Sequence, residues 1–205
     1  MKKFRLTAVV GMLFLMTAVS AQVNLGIKGG VNLSNYYGDE LTEKNAKVGF
    51  HVGLLGEYEF NYNMAIQSGL FFTTKGLKTE SADWNAKYSE NLMYLQLPVH
   101  YAFKLDVTPG TRLVFHAGPY VAYGVGGSRN ASVGNISAEW DVDNIFGDKA
   151  VQYNPFDAGL GLGVGAEFGP ILLDLGWDLG LVNISNADNG NVKNQNAYLS
   201  VGYRF

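Results

Sequence analysis

The chain has no cysteine, few basic residues and no second long apolar run. Without cysteine, no disulfide and no thiolate metal site can stabilise the fold. The 15 Lys and Arg are outnumbered by 18 Asp and Glu, which disfavours nucleic acid as a partner. Beyond the first 21 residues, no apolar run is long enough for a membrane-spanning helix. Any crossing of a membrane must therefore be made by strands.

Residues 1–21 have the three parts of a secretory signal: basic residues, an apolar run from Leu6 to Val19, and small residues before the cut. The run is shorter than the roughly 20 residues that span a bilayer, which disfavours an anchoring helix. We expect removal of this segment to leave residues 22–205 as one domain. Removal takes three of the 15 basic residues and no acidic one, so the net charge changes from −3 to about −6.

The rest of the chain shows an alternation of apolar and polar residues with a period of two. Because successive side chains of a strand face opposite sides of a sheet, this period indicates β-strands. The pattern predicts eight strands, near residues 24–34, 47–60, 64–75, 92–105, 112–123, 156–168, 171–180 and 196–205. Their connections alternate between short turns, near 61–63, 106–111 and 169–170, and long polar loops, near 35–46, 79–90, 127–154 and 182–194.

One face of every predicted strand carries no charge. A Lys or Arg that faces lipid at mid-membrane costs roughly 2–4 kcal/mol, so a lipid-facing surface should exclude charge. In a soluble barrel, by contrast, Lys28, Glu57 and Asp174 would face inward, or the apolar faces of the strands would meet water. We therefore predict an all-β, eight-stranded antiparallel up-and-down transmembrane barrel in a Gram-negative outer membrane. Its apolar face meets the membrane lipid, and both termini and the short turns lie on the periplasmic side.

Several motifs resemble one family of small outer-membrane barrels. The segment Tyr94-Leu95-Gln96-Leu97-Pro98-Val99, the later Gly118-Pro119-Tyr120 and the segment Gly180 to Ser185 are similar to motifs of the PorT-like family. The resemblance implies the same barrel fold, and the family's namesake implies a part in protein secretion across the outer membrane. The terminal Tyr203-Arg204-Phe205 is similar to the closing signal of outer-membrane proteins, whose final aromatic residue is read by the barrel-insertion machinery.

The charged residues of the strands are predicted to share the barrel lumen. An eight-stranded barrel is just wide enough for side chains to fill it, so a salt-bridged network is expected there. If Phe168 pairs with Ile171, then Asp174 lies opposite Gly165 and Asp178 opposite Gly161, and these glycines make room for the charges. A narrow pore for small solutes is the alternative. The predicted lumenal network comprises Lys28, Glu57, Lys75, Arg112, Glu167, Asp174, Asp178 and Arg204.

The three histidines, His51, His100 and His116, are also predicted to point inward. Such a set could bind zinc or sense pH, but the spacing matches no compact zinc pattern, so we expect neither a metal nor a cofactor. A hydrolase needs a nucleophile, a base and an orienting acid within reach of its substrate. The predicted loops contain no histidine and no strand histidine faces lipid, so we expect no catalytic residue.

Aromatic residues in the long loops are the remaining candidates for recognition. Exposed aromatics often anchor a partner, although they can equally pack on one another or on lipid headgroups. The candidates are Trp84, Tyr88, Trp140 and Phe146. The sequence thus predicts a non-enzymatic barrel that presents loops to a protein partner or serves an envelope or secretion complex. A narrow passive channel is the alternative, and an outer-membrane enzyme fits the sequence less well.

Overall fold

Nine antiparallel strands make up the regular structure of this computed structural model, which describes residues 23–38, 45–81, 86–133, 136–141, 145–147, 152–186 and 190–205. No helix in these ranges is long and apolar enough to cross a membrane. The strands are β1 (Val23–Gly38), β2 (Asn45–Asn61), β3 (Met64–Ser81), β4 (Ala86–Thr108), β5 (Thr111–Val133), β6 (Ile136–Asp141), β7 (Phe156–Phe168), β8 (Ile171–Gly180) and β9 (Val192–Arg204).

Eight of these strands form a closed antiparallel ring. The order around the ring is β1, β2, β3, β4, β5, β7, β8 and β9, and β9 pairs with β1 to close it. Closure pairs the backbone of every strand on both sides, which a lipid environment requires. The predicted fold is therefore confirmed.

The short strand β6 lies outside the ring and was not predicted. The lower part of β5, Thr111 to Tyr123, pairs with β7, whereas its upper part, Ser128 to Val133, pairs with β6. The prediction of a single long loop over 127–154 is therefore wrong. The β5–β6 hairpin carries the sheet outward, beyond the level where the ring closes.

The other predicted loops are also shorter in the structure. Strands β3 and β4 stay paired as far as Ser81 opposite Ala86, β1 reaches Gly38, and β9 begins at Val192. The strand boundaries were missed because the alternation depends on one face meeting lipid. Above the bilayer the outward face meets no lipid, so paired strands there need no regular alternation, although inward residues such as Tyr36 and Leu77 remain buried.

The uncharged face points outward, as the alternation predicted. Val48 and Leu54 are 69% and 64% exposed, although both are aliphatic. Near the end with the short turns, the rings of Phe60 and Tyr101 lie 6.0 Å apart on this surface. This is the arrangement expected of an apolar band that ends in an aromatic girdle.

Tight turns join the strands at the predicted periplasmic end. They lie at residues 62–63, 109–110 and 169–170, inside the segments that the sequence assigned to short turns. Gly110 and Gly169 have φ angles of +81° and +59°, a left-handed conformation that glycine adopts without steric cost.

Candidate functional site

The lumen is filled in successive levels, and the inward side chains of β4 show their order. From the extracellular end, these side chains include Glu90, Tyr94, Gln96, His100 and Lys104, and all of these are buried. Each level has its own chemistry. An ionic group lies at each end, an apolar cluster lies below the upper one, and polar side chains occupy the middle.

The lowest level is an ionic group that we call the periplasmic cluster: Glu57, Glu59, Lys104, Arg112, Glu167 and Arg204. The Lys104 ammonium lies 2.6 Å from Glu57, 2.7 Å from Glu59 and 2.9 Å from Glu167. Arg112 and Arg204 contact the same carboxylates, with Arg112 Nη2 2.7 Å from Glu167. Three acidic and three basic groups make the cluster neutral, and its position closes the periplasmic end of the lumen.

Above this cluster, a chain of contacts crosses the lumen at the middle level. Lys28 Nζ donates to Asp174 Oδ2 at 2.7 Å, and His116 Nε2 lies 2.8 Å from Asp174 Oδ1. The rings of His100 and His116 stack with their centroids 5.1 Å apart. The chain links four strands and holds the two histidines in fixed positions.

The predicted register of β7 and β8 is confirmed. Phe168 pairs with Ile171, which places Asp174 opposite Gly165 and Asp178 opposite Gly161. A Cβ atom on Gly161 would lie 2.7 Å from Asp178 Oδ1 and 2.7 Å from His100 Nε2. Absence of a side chain at this position is therefore what admits the charged and imidazole groups.

Seven of the eight predicted lumenal residues form ion pairs, and Asp178 is the exception. Asp178 accepts a hydrogen bond from Gln96 Nε2 at 2.9 Å and forms no ion pair within the described residues. The predicted set omitted Glu90 and Arg129, which pair near the extracellular end, and three participants deeper in the lumen, Glu59, Lys104 and Asp157. All three lie on the polar face of their strands, so the alternation contained the signal needed to include them.

His51 lies in a hydrogen-bonded series with the order of a catalytic triad. Its Nδ1 is 2.7 Å from Asn32 Oδ1, and its Nε2 is 2.8 Å from Ser200 Oγ. Asn32 is held in turn by its Nδ2, which donates to Thr73 Oγ1 and to the carbonyl of Thr74. Ser200 is completely enclosed, so no substrate carbonyl has access to its hydroxyl. Here the series ties β1, β2, β3 and β9 together.

The extracellular half of the lumen is closed by an apolar cluster, the extracellular plug: Tyr36, Leu77, Leu92, Tyr94, Tyr120, Ala122, Ile145 and Ile184. Below it, Lys75 pairs with Asp157 at 3.1 Å and lies 4.5 Å from the centre of the Tyr120 ring. Ile145 and Ile184 belong to connecting segments and fold into the barrel mouth. The sequence signal for them was a short apolar group in a mostly polar segment: Phe146 follows Ile145, and Leu181 and Val182 precede Ile184.

Of the predicted loop aromatics, Phe146 departs from the expectation of an exposed contact residue. Its ring packs against Tyr94 in the plug, 5.4 Å between centroids, because the barrel mouth offers an apolar surface nearby. Tyr88 is more than one-third exposed and donates to Glu90. Trp140 lies in β6, opposite Arg129 in the register, and Trp84 lies outside the described residues.

Glu90 anchors the uppermost level, above the plug. Its carboxylate accepts from Tyr153 Oη at 2.6 Å and from Arg129 Nε at 2.7 Å. Tyr153 lies in a connecting segment outside the membrane-spanning strands, where burial and the charge of Glu90 raise its pKa. The phenol therefore stays protonated and holds its segment against β4.

The side chains that the structure describes do not include a group of three or more His, Asp or Glu placed to hold a metal ion. His100 and His116 contact each other, His116 also contacts Asp174, and His51 contacts Asn32 and Ser200. The geometry of the lumen is that of a packed interior.

The solved structures that are similar to this chain include those of two bacterial proteins. The attachment invasion locus protein Ail of Yersinia pestis shows 18% identity, with 90% of this chain and 99% of that chain covered, and a TM-score of 0.46. Neisserial surface protein A gives 13% identity, 88% and 97% coverage, and a TM-score of 0.45. No match was found among curated proteins by sequence.

A family match covers most of the sequence. Residues 18–186 match the family described as outer membrane protein beta-barrel domain. This segment includes seven of the eight ring strands. The chain therefore belongs to the outer membrane protein beta-barrel domain family, and it is an outer-membrane barrel with its long hairpins on the extracellular side.

Proposed function

We propose that this barrel has a non-enzymatic binding role, in which its extracellular hairpins contact a protein partner. The observation that carries the proposal is the contrast between the two parts of the molecule. The described lumen is occupied by side chains at every level, whereas β3, β4, β5 and β6 continue as a sheet above the ring. The part that reaches beyond the membrane is thus the part suited to recognition.

Packing of the lumen disfavours the alternative of a narrow channel. A solute would have to pass both the periplasmic cluster and the extracellular plug. Lys75, Lys104 and Tyr94 lie across this route and are at most 1% exposed. An eight-stranded barrel has no further width to offer once such side chains fill it.

The extracellular sheet has a free edge that favours a protein partner. Strand β6 pairs with β5 on one side, and no described strand pairs with its other side. A free strand edge presents N–H and C=O groups that can pair with an added strand. Tyr88 is exposed on β4, two strands away in the same sheet, and the predicted contact residue Trp140 lies in β6.

The position of the histidines supports a role without catalysis. His51, His100 and His116 are all buried, and each contacts another lumenal group. The base of a hydrolase would need access to a substrate in the bilayer or in water. None of these three imidazoles has such access to a substrate.

The resemblance to the PorT-like family supports a more specific role, as an accessory part of an envelope or protein-secretion complex. We infer that residues 1–21 are removed on export and that the insertion machinery reads Phe205. N-terminal sequencing of the membrane-embedded protein should then begin at Gln22. A chain that begins at Met1 would contradict the export segment.

Site-specific photo-cross-linking in intact cells tests the binding role. A photoreactive residue replaces Tyr88 in the extracellular sheet, and Leu160 on the lipid face serves as the control position. We expect a discrete protein adduct from position 88, absent from position 160 and lost when residues 129–140 of the β5–β6 hairpin are deleted. Identical adducts from both positions, or no adduct from position 88, would contradict the proposal.

A further inference from the structure

The barrel wall is interrupted between β3 and β4, within the membrane-spanning part of both strands. Ser68 pairs with Val99 and Phe71 pairs with Gln96, in one continuous register. The two residues between them on β3 have no partner on β4 in the described sheet. We call this interruption the wall gap, and its residues are Gly69, Leu70, Leu97 and Pro98.

Proline accounts for the wall gap. Ser68 Oγ donates to the carbonyl oxygen of Pro98 at 2.8 Å, so the backbone of Pro98 faces β3. The N–H and C=O of a strand residue point to the same neighbouring strand, and another residue at this position would therefore donate to β3 as well. Proline has no N–H to donate. A serine hydroxyl thus contacts the proline carbonyl where the backbone ladder is broken.

The second proline of the wall, Pro119 in β5, lies beside a break that stays closed. Pairing of β4 with β5 omits Val99 and His100. A Cβ atom on Gly118 would nevertheless lie only 2.1 Å from the carbonyl oxygen of Val99, so the two backbones are in contact there. None of the three atoms nearest to a Cβ atom on Gly69 belongs to β4. The wall is therefore open on the β3 side of β4 and closed on the β5 side.

A cavity of about 50 Å³ lies behind the wall gap and reaches into it. Ser68 follows Ile66 and precedes Leu70 in the alternation of β3, which assigns it to the lipid face. It lines the same cavity as Leu55 and Phe71, which point inward and are buried. A residue of the outer face can line a cavity of the lumen only where the wall is interrupted.

We propose that the wall gap is a binding site for an acyl chain of a membrane lipid, whose end enters the lumen between β3 and β4. Leu70 and Leu97 of the gap are 51% and 42% exposed on the lipid face. The molecules beside them in the bilayer core are acyl chains. A group of about the size of water needs about 10–15 Å³ of such space, so the cavity accommodates about three carbons of a chain.

The inner side of the wall gap offers an apolar contact for this chain end. Leu55 pairs with Gly69 and Phe71 pairs with Gly53, so the two apolar side chains are neighbours on one inner face. The Phe71 ring lies over both glycines, because a Cβ atom on either would be 2.6 Å from it. An empty space leaves such side chains without contacts on one side, and a chain end restores those contacts.

The far side of the cavity limits how much of the chain enters. It is lined by polar side chains of β8 and β9, namely Asp178, Asn196 and Tyr198. Entry from the side leaves the extracellular plug and the periplasmic cluster in place, so both ends of the lumen stay closed. The inference is independent of the proposed binding role, which concerns the hairpins above the membrane.

Photo-labelling of the full barrel in vesicles tests the proposal. The vesicles contain a phospholipid whose acyl chain carries a diazirine, and mass spectrometry assigns each adduct to a residue. We expect adducts on Leu55 or Phe71 inside the lumen, in addition to those on the lipid-facing Leu54 and Leu70. Leu92, which is fully buried behind a paired part of the wall, should carry none. Adducts on the lipid face alone, or equal labelling of Leu92, would overturn the proposal.

A pair of proline variants provides the control. Pro98→Val restores the missing N–H and should close the wall gap, so the adducts on Leu55 and Phe71 should be lost. Continued labelling of Leu54 shows that the variant is inserted in the bilayer. Pro119→Val, at the break that is already closed, should keep the inner adducts. Undiminished labelling of Leu55 and Phe71 in an inserted Pro98→Val barrel would overturn the proposal, and the result with the unmodified chain decides it if this variant does not insert.

Discussion

At the scale of single residues, the strongest constraint falls on Lys104. Its ammonium is the common partner of three glutamates and its side chain is 1% exposed. Attraction between buried charges offsets their loss of hydration only while the partners remain together. The cluster therefore stabilises the barrel as a set, and removal of its central cation leaves carboxylates without compensation.

We predict that Lys104→Met destabilises the barrel by about 3–5 kcal/mol, the usual cost of breaking a buried charge group. Urea unfolding of the protein in lipid vesicles measures the change. Lys193→Met is the matched control, because among the described residues Lys193 has only a cation–π contact, with Tyr37 at 6.0 Å, and its loss should cost less than about 1 kcal/mol. Equal unfolding midpoints for the two variants would contradict the ionic account of the periplasmic cluster.

Single residues also show how far sequence reasoning reaches into the candidate site. The period of two is by itself enough to place Lys28, Asp174 and Asp178 on the inner face. It cannot show that Lys28 pairs with Asp174 whereas Asp178 pairs with Gln96, because those contacts depend on the stagger of non-neighbouring strands. Ile145 and Phe146 were missed as lumenal groups because no period marks a connecting segment that folds back into the barrel.

At the scale of elements, β7 is shaped by the glycines on its inner face. A Cβ atom on Gly163 would lie 2.5 Å from His116 Nε2 and 2.8 Å from the backbone oxygen of Leu175. The imidazole has little freedom to retreat, since it contacts both Asp174 and His100. The sequence of β7 thus keeps space for the middle level of the lumen.

Gly163→Val is accordingly expected to lower the free energy of unfolding by about 1–3 kcal/mol through overpacking. Its control is Gly126→Val in β5, where an added Cβ would meet only Met93 Sδ at 4.0 Å. Urea unfolding of both variants in lipid vesicles measures the two changes in the free energy of unfolding. If Gly126→Val is as destabilising as Gly163→Val, the cost comes from glycine replacement in a strand and not from the lumen.

The connecting segments form a second class of element, and the plug ties two of them together. The amide of Asn154 donates to the carbonyl of Ile184 at 2.9 Å, and the Ile184 side chain is fully buried. These contacts make the extracellular mouth a packed layer. Its stability can be measured locally.

For Ile184→Ala we predict faster hydrogen exchange at the Asn154 amide. Loss of a buried isoleucine costs about 2–5 kcal/mol, and each 1.4 kcal/mol of opening free energy is tenfold in population, so the rate should rise at least about tenfold. Leu181→Ala, at an exposed position three residues earlier, should leave this amide unchanged. An unaltered Asn154 rate in Ile184→Ala would mean that the plug does not hold the segment.

Strand boundaries show the limit of prediction at this scale. Within the bilayer, the alternation located the short turns and the β7–β8 register correctly. Above the bilayer it failed for β6 and for the upper parts of β3, β4 and β5, since neither face of those strands meets lipid. The alternation reflects what surrounds the two faces of a strand, and it does not indicate whether the backbone is paired in water.

At the scale of the whole molecule, closure of the ring and filling of the lumen by side chains together describe a sealed barrel. The fold was predictable from sequence because lipid and lumen impose opposite chemistry on alternate residues of every ring strand. The absence of an open path through the described lumen was not predictable from sequence, since it depends on how inward side chains from eight strands meet at each level. We therefore propose a sealed barrel that acts through its extracellular sheet.

Conductance of the refolded protein in planar lipid bilayers tests that claim most directly. A barrel closed by the periplasmic cluster and the extracellular plug should give no discrete current steps above those of the protein-free bilayer. Reproducible open-channel steps that diminish when Gly161 is replaced by a larger residue would contradict the sealed lumen and favour the narrow channel.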